Sequence, residues 1–161
     1  MIHQKPKYAI DTCSLTELRR TCPKDVFPGV WDKVGELADN GTLISIEDVY
    51  EELRIQDDEV LEWADGHFEI FKPLDEPIQI KTREILEKHP NLIDLKRRKS
   101  GADPFLVAAA MVFSCSVVTE EKPSGGPDRS KIPDVCRANG IACVKLLEML
   151  RAEQLCLWIQ Q

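Results

Sequence analysis

Short apolar runs alternate along this chain with segments of helical periodicity. The apolar runs predict strands at residues 8–11, 43–46, 115–119 and 141–144, and an alternating segment predicts an edge strand at 68–71. Apolar residues at helical spacing, bounded by cap and stop signals, predict helices at residues 15–20, 30–40, 47–54, 57–66, 78–89, 103–113, 132–139 and 146–155. This alternation predicts a three-layer α/β/α fold with a mostly parallel central sheet.

The segment 103–113 is the most apolar of the predicted helices. Phe105, Leu106 and the residues after them leave almost no polar face, which predicts a helix buried along most of its length. Pro104 suits the first turn of a helix, and Asp103 is a residue type that caps the free backbone amides there. Taken alone, Asp103 is explained by this capping role.

Length and composition indicate one domain over residues 1–161. The chain has 161 residues, of which 43% are hydrophobic and 30% charged, as is typical of a folded protein with a sizeable core. No apolar stretch approaches the roughly 20 residues of a membrane span, and the first residues lack a signal-peptide core, so we expect a cytoplasmic protein. Six dispersed cysteines without a Cys-X-X-Cys pair favour neither a zinc site nor a disulfide framework.

The formal net charge of −7 limits the ways in which this chain can bind nucleic acid. It argues against broad, non-specific binding, because such binding depends on lysine and arginine contacts to phosphates. It does not exclude a nucleic-acid enzyme, since acidic residues around divalent metal ions make the net charge a poor guide to the local field.

Carboxylates stand at the ends of predicted elements that would meet in space. Asp11 ends the first strand, Asp103 opens the buried helix, and Glu121 or Glu120 follows a later strand. Glu52, on the helix after the second strand, is a fourth candidate. The carboxyl ends of parallel strands form the crevice where sites are built. Oxygen ligands suit Mg²⁺ and Mn²⁺, and crowded carboxylates need a cation to offset their repulsion, so the pattern predicts a divalent-metal site for phosphoryl chemistry.

Hydroxyl and basic residues flank these acids. Thr12 and Ser14 follow Asp11, and their side chains either cap the next helix or take part in the site. The basic run at 96–99 precedes Asp103, where it either contacts a phosphodiester substrate or forms a solvated face. Both alternatives stay open at the level of sequence.

Four short motifs occur in a fixed order along nearly the whole chain. They are Tyr8-Ala-Ile-Asp-Thr-Cys-Ser14, Leu43-Ile-Ser45 with Glu51-Glu-Leu53, Gly101-Ala-Asp-Pro-Phe105, and Val117-Val-Thr-Glu-Glu-Lys122. Each motif is short, and the ordered set is the specific feature. This set resembles the PIN domain, the nuclease fold shared with VapC-type toxins.

The resemblance assigns site residues position by position. The first acid of the family matches Asp11, and the small hydroxyl residue three positions later matches Ser14. The second acid, directly before a leucine, matches Glu52 better than Glu51. The third acid matches Asp103.

The fourth acid departs from the family pattern. An aspartate or asparagine is usual two residues after the threonine of the strand, whereas this chain has the longer Glu121. Glu120 and Asp134 are the alternatives for this position.

The resemblance implies a ribonuclease that depends on Mg²⁺ or Mn²⁺, with the toxin of a toxin–antitoxin pair as one subclass. The catalytic and metal-holding residues would be Asp11, Glu52, Asp103 and Glu121. The substrate-binding residues would be Thr12, Ser14, Lys122 and Arg129. The implied partners are an RNA substrate, a cognate antitoxin protein and a second copy of the chain, with no membrane involved.

Two other functions fit parts of the sequence. One is a PIN-like module that no longer cleaves and serves for binding or scaffolding, which the acidic net charge and Glu121 favour. The other is an aspartyl-phosphate phosphatase. The sequence disfavours it, because it needs a second aspartate two residues after the first and Cys13 occupies that position.

Overall fold

The computed structural model describes residues 4–56, 58–92, 103–124 and 130–155. Within these ranges the strands are β1 (Tyr8–Ile10), β2 (Leu43–Ile46), β3 (Phe71–Lys72), β4 (Ser116–Val118) and β5 (Cys143–Val144). The helices are α1 (Thr12–Thr21), α2 (Pro28–Asp39), α3 (Glu47–Gln56), α4 (Asp58–Gly66), α5 (Glu76–Lys88), α6 (Asp103–Phe113), α7 (Ile132–Ala138) and α8 (Leu146–Ala152). Short 3₁₀ turns lie at Phe68–Ile70 and Pro90–Leu92.

The strands form one sheet in the order β3-β2-β1-β4-β5, and every neighbouring pair is parallel. All residues of β1 and β2 are buried. Strands covered on both faces by helices are apolar at nearly every position, and the hydroxyl of the buried Ser45 in β2 is satisfied because it donates to the carbonyl of Ile10 at 2.7 Å. The predicted three-layer α/β/α fold is therefore confirmed, with a sheet that is parallel throughout the described strands.

The strand order reverses at β1. The chain builds β2 and β3 on one side of this strand and then returns to build β4 and β5 on the other. In open parallel sheets, ligands bind outside the carboxyl ends of the strands at such a reversal. Ile10 pairs with Val118, and the amide of Asp11 donates to the carbonyl of Val118 at 2.9 Å. Asp11 and Thr119, which follow the paired residues, are thus neighbours at this edge.

Helix α6 carries Asp103 to the same edge. It packs against β1, β2 and β4, and most of its residues are buried, as predicted, although Phe105 and the last turn are only partly covered. The turn from α6 to β4 is tight and passes through Ser114 at a φ of 54°. Because the chain reverses there, α6 runs antiparallel to β4, and its first residue lies near the carboxyl end of that strand.

The predicted edge strand at 68–71 was wrong over most of its length. Phe68–Ile70 forms a 3₁₀ turn, and the strand begins only at Phe71. The ring of Tyr50 on α3 contacts both Phe68 and Phe71, with centroids 5.0 and 5.4 Å away. Residues three apart share one side of a 3₁₀ turn, whereas a strand would place them on opposite faces.

The last helix is shorter than predicted. It ends at Ala152, and Gln154 adopts a φ of 59°, which breaks the helical path before residue 155. The basic run at 96–99 and the predicted helix start at Asp57 lie outside the described residues. Among the helices that the structure describes, none has both the length and the apolar character to cross a membrane.

Candidate functional site

Asp11 is the N-cap of α1 and lies at the carboxyl edge of the sheet. Its Oδ1 accepts the backbone N–H of Thr12 at 2.7 Å. Its Oδ2 accepts the hydroxyl of Thr119 and the thiol of Cys13, each at 3.0 Å. The residue is only 5% exposed. A short acidic side chain at this position satisfies the first turn of α1 and places a carboxylate where the strand order reverses.

The environment of Asp11 disfavours its charge. The pKa of Asp11 is raised from 3.8 to about 6, mainly by burial and to a smaller extent by the negative charges of Glu121 and Glu52. The hydrogen bonds from Cys13 and Thr119 act in the opposite direction. A buried carboxylate with a raised pKa beside other acids is typical of a functional site.

Thr12 holds Glu52 beside Asp11. Its hydroxyl donates to Oε2 of Glu52, across from α1 to α3. The capping of α1 is done by Asp11, so the side chain of Thr12 is available for this contact. Glu51 is exposed and forms an ion pair with Arg54 at 3.0 Å on the surface of α3. The structure therefore brings Glu52, and not Glu51, to the site.

Glu120 ties the end of β4 to two helices. Its Oε1 accepts the backbone N–H of Leu146, the first residue of α8, at 2.8 Å. The same oxygen accepts the hydroxyl of the fully buried Ser14 at 3.4 Å. Ser14 is thus directed at Glu120 and does not cap its own helix.

Glu121 ties the same strand end to α7. Its Oε2 accepts the backbone N–H of Ile132, the first residue of that helix, at 3.1 Å. Its own N–H donates to the hydroxyl of Thr119 at 3.2 Å. The carboxylate is therefore close enough to raise the pKa of Asp11 while it is bound to a backbone amide.

The remaining predicted site residues have different surroundings. Asp103 is 7% exposed at the start of α6. Asp134 accepts the N–H groups of Ser124 and Lys131, both at 3.0 Å; partial burial raises its pKa, but these bonds hold the pKa below its ordinary value. Lys122 is exposed beside Glu121. Arg129, which the resemblance assigns to substrate binding, lies outside the described residues.

Oxygen-only donors such as Asp11, Glu52 and Asp103 are the ligands that hard divalent cations prefer. Burial, together with the charges of Glu121 and Glu52, disfavours the charge of Asp11, and a bound cation would offset this effect. Over the described ranges, however, no three histidine, cysteine, aspartate or glutamate side chains are grouped so that they could hold a metal ion. The chemistry of the donors fits a cation, while the side chains are not gathered around a common point.

Sequence reasoning gave no role to Cys13 and named Thr119 only as part of a motif. The Cys13 sulfur contacts Oδ2 of Asp11, lies 3.2 Å from the Thr119 hydroxyl and accepts the N–H of Glu120 at 3.3 Å. Burial and the charge of Asp11 raise the pKa of Cys13, so its thiol stays protonated and donates. The sequence signal that could have pointed to Cys13 is its position in the first turn of α1, two residues after the aspartate that caps this helix.

The model of one protein family covers most of the sequence. This family, DUF4411, is described as a domain of unknown function, and its model matches residues 8–157. The chain belongs to the DUF4411 family. A comparison with curated proteins found no match for this DUF4411 protein.

Two solved structures share the fold of this DUF4411 protein. VapBC2 from Rickettsia felis, bound to a DNA fragment from their promoter, aligns with a TM-score of 0.54 at 14% identity, over 86% of this chain and 97% of that chain. FitAcB from Neisseria gonorrhoeae aligns with a TM-score of 0.54 at 16% identity, over 87% of this chain and 98% of that chain. The predicted resemblance is confirmed at the level of the fold, which is PIN-like and similar to VapC.

Proposed function

We propose that this DUF4411 protein is an endoribonuclease that depends on Mg²⁺ or Mn²⁺. The observation that carries the proposal is the buried carboxylate of Asp11, with Glu52 held beside it, at the point where the strand order reverses. The PIN-like fold supports a nuclease, because the motifs of this sequence resemble those of the PIN domain, which is a nuclease fold. The described cysteines are free thiols, which supports action in the reducing cytoplasm.

In this proposal Asp11, Glu52 and Asp103 would hold the cation. When bound, it would lower the pKa of water and offset the charge that develops on the phosphate. The residues around these acids fix their positions: Thr119 and the Cys13 thiol hold Oδ2 of Asp11. Glu121, whose Oε2 accepts the backbone amide at the start of α7, would join as a fourth ligand through its other carboxylate oxygen.

The contacts to RNA fall to exposed basic residues. Ser14 is fully buried and directed at Glu120, so we assign it a structural role in place of the predicted substrate binding. Lys122 is exposed next to Glu121 and would contact the RNA backbone without reading its sequence.

We further propose that the chain is the toxin of a toxin–antitoxin pair, with a cognate antitoxin as partner. The likeness of its fold to VapBC2 and FitAcB supports this, because VapC-type toxins are the proteins that its motifs resemble. A second copy of the chain is the other proposed partner.

A second candidate function is a PIN-like module that binds without cleaving. Two observations favour it: the described acids do not form a group that could hold a metal ion, and both Glu120 and Glu121 are bound to helix amides. This candidate predicts a folded protein that leaves RNA intact in every metal.

Cleavage of mixed cellular RNA distinguishes the two functions. The full-length chain is incubated with Mg²⁺, Mn²⁺ or EDTA, beside Asp103→Asn and the control Asp32→Asn, an exposed acid on α2. We expect cleavage with either metal, none with EDTA, a loss of at least about 100-fold in Asp103→Asn, and full activity in the control. Retained cleavage in Asp103→Asn would overturn the metal-site assignment, and no cleavage by folded protein would favour the binding module.

A further inference from the structure

A cavity of about 370 Å³ opens at the carboxyl edge of the sheet next to Asp11. The ends of β4 and β5 and residues of α7 and α8 form its walls. Thr119, whose hydroxyl donates to Asp11, is one of the lining residues. The cavity and the carboxylate site therefore share a wall.

The sheet register places a basic residue in line with Asp11. The paired residues at the ends of β1, β4 and β5 are Ile10, Val118 and Val144. The residues that follow them, Asp11, Thr119 and Lys145, form one row along the edge, and the N–H of Thr119 donates to the carbonyl of Val144 at 3.0 Å. With strands about 4.8 Å apart, the backbone of Lys145 lies about 10 Å from that of Asp11.

The charged side chains of the cavity differ in whether they have hydrogen-bond or salt-bridge partners. Its two carboxylates each accept a backbone amide: Glu121 that of the first residue of α7, and Glu148 that of Lys145 at 2.8 Å. Its two cations, Arg137 and Lys145, are exposed, and neither forms a salt bridge with any residue that the structure describes. Arg137 acts only at longer range on Asp134, whose pKa it lowers. Both cations can therefore take an anion.

We propose that this cavity binds a backbone phosphate of the RNA strand one step from the cleaved bond, through Arg137 and Lys145. This subsite rests on the proposed ribonuclease function. The strand would run along the edge from Asp11 over β4 to β5. None of the described residues that line the cavity is aromatic, and Pro133 and Val144 give it an apolar floor, so it contacts ribose and phosphate without stacking a base.

RNA binding in EDTA tests the subsite apart from catalysis. A fluorescein-labelled single-stranded RNA of mixed sequence is titrated with the full-length chain, and Kd is read from anisotropy at several salt concentrations. The double variant Arg137→Ala/Lys145→Ala is compared with Lys5→Ala/Arg83→Ala, which removes the same charge from exposed positions before β1 and on α5. Circular dichroism verifies that all three proteins are folded.

We expect the double variant to bind about ten-fold more weakly and the control to match wild type. Two lost phosphate contacts would also reduce the slope of log affinity against log salt by about 1.4, since each contact to a single strand contributes about 0.7. Under cleaving conditions, KM should rise in the double variant while kcat stays constant.

The outcomes separate the subsite from the reaction. Weaker RNA binding in the double variant of a protein that does not cleave would uphold the subsite and reject the ribonuclease. Cleavage by wild type with an unchanged Kd and KM in the double variant would overturn the subsite. Equal losses in both variants, or no RNA binding by wild type, would also overturn it, since binding would then depend on net charge or be absent.

Discussion

Replacing Asp11 with asparagine should stabilise the metal-free protein, although it removes the central acid of the candidate site. Asparagine keeps an oxygen for the N–H of Thr12 and is as good an N-cap as aspartate. Its amide nitrogen can donate to the hydroxyl oxygen of Thr119 and to the sulfur of Cys13, both of which now donate to Asp11. The substitution therefore removes a buried charge and leaves the local hydrogen bonding largely satisfied.

The size of the effect follows from the pKa of Asp11. The folded-state pKa is about 6, against 3.8 for an unperturbed aspartate. Each unit of difference between the folded and unfolded pKa corresponds to about 1.4 kcal/mol, so ionisation of Asp11 costs the folded state about 3 kcal/mol. Because the folded form holds this proton more tightly, the contribution to stability is complete below about pH 4 and is lost as the pH rises through about 6.

Urea unfolding in EDTA measures this difference, with the fluorescence of the buried Trp31 and Trp63 as the signal. At about pH 8 the free energy of unfolding of Asp11→Asn should exceed that of wild type by up to about 3 kcal/mol, and the gap should close by about pH 4. Other groups titrate in both proteins, so the difference isolates Asp11. The control Asp32→Asn, at an exposed acid, should show no such pH-dependent gap.

Two results would refute this reasoning. A wild type more stable than Asp11→Asn at about pH 8 would mean that the carboxylate has a net stabilising environment. A difference that does not shrink on acidification would mean that the charge of Asp11 is not its cause.

Two further predictions concern the metal and the contacts of Glu120 with Leu146 and Ser14. At a concentration of 100 times its Kd, Mn²⁺ should stabilise wild type by about 2.7 kcal/mol and so raise its Tm, and it should raise the Tm of Asp11→Asn much less. Equal Tm shifts of the two proteins in a thermal scan would contradict binding at Asp11. Glu120→Ala should lower the free energy of unfolding, measured with urea, by about 1–2 kcal/mol, because the amide of Leu146 and the hydroxyl of Ser14 both lose their acceptor. An unchanged free energy would argue against a stabilising role of these two contacts.

The sequence alone determined the fold class and the position of Asp11. Strands buried on both faces need continuous apolar runs, and the alternation of such runs with amphipathic segments is legible without any coordinates. Asp11 was predictable at the end of its strand, because a strand end is a local feature, whereas the predicted cap residues of the next helix were Thr12 and Ser14 and the structure gives this role to Asp11. Phe68–Ile70 was misjudged because apolar spacing over four residues does not separate a strand from a 3₁₀ turn.

Only the tertiary structure decided which acids meet and what each of them binds. The hydroxyl of Thr12 donates to Glu52, 40 residues away along the chain, and not to the adjacent Glu51. Cys13 meets Thr119 across 106 residues, and Glu120 meets Leu146 across 26. Neighbouring positions on a helix differ by about 100° in direction, so which of two adjacent glutamates faces the site depends on how the helices pack. Local sequence signals do not carry that packing.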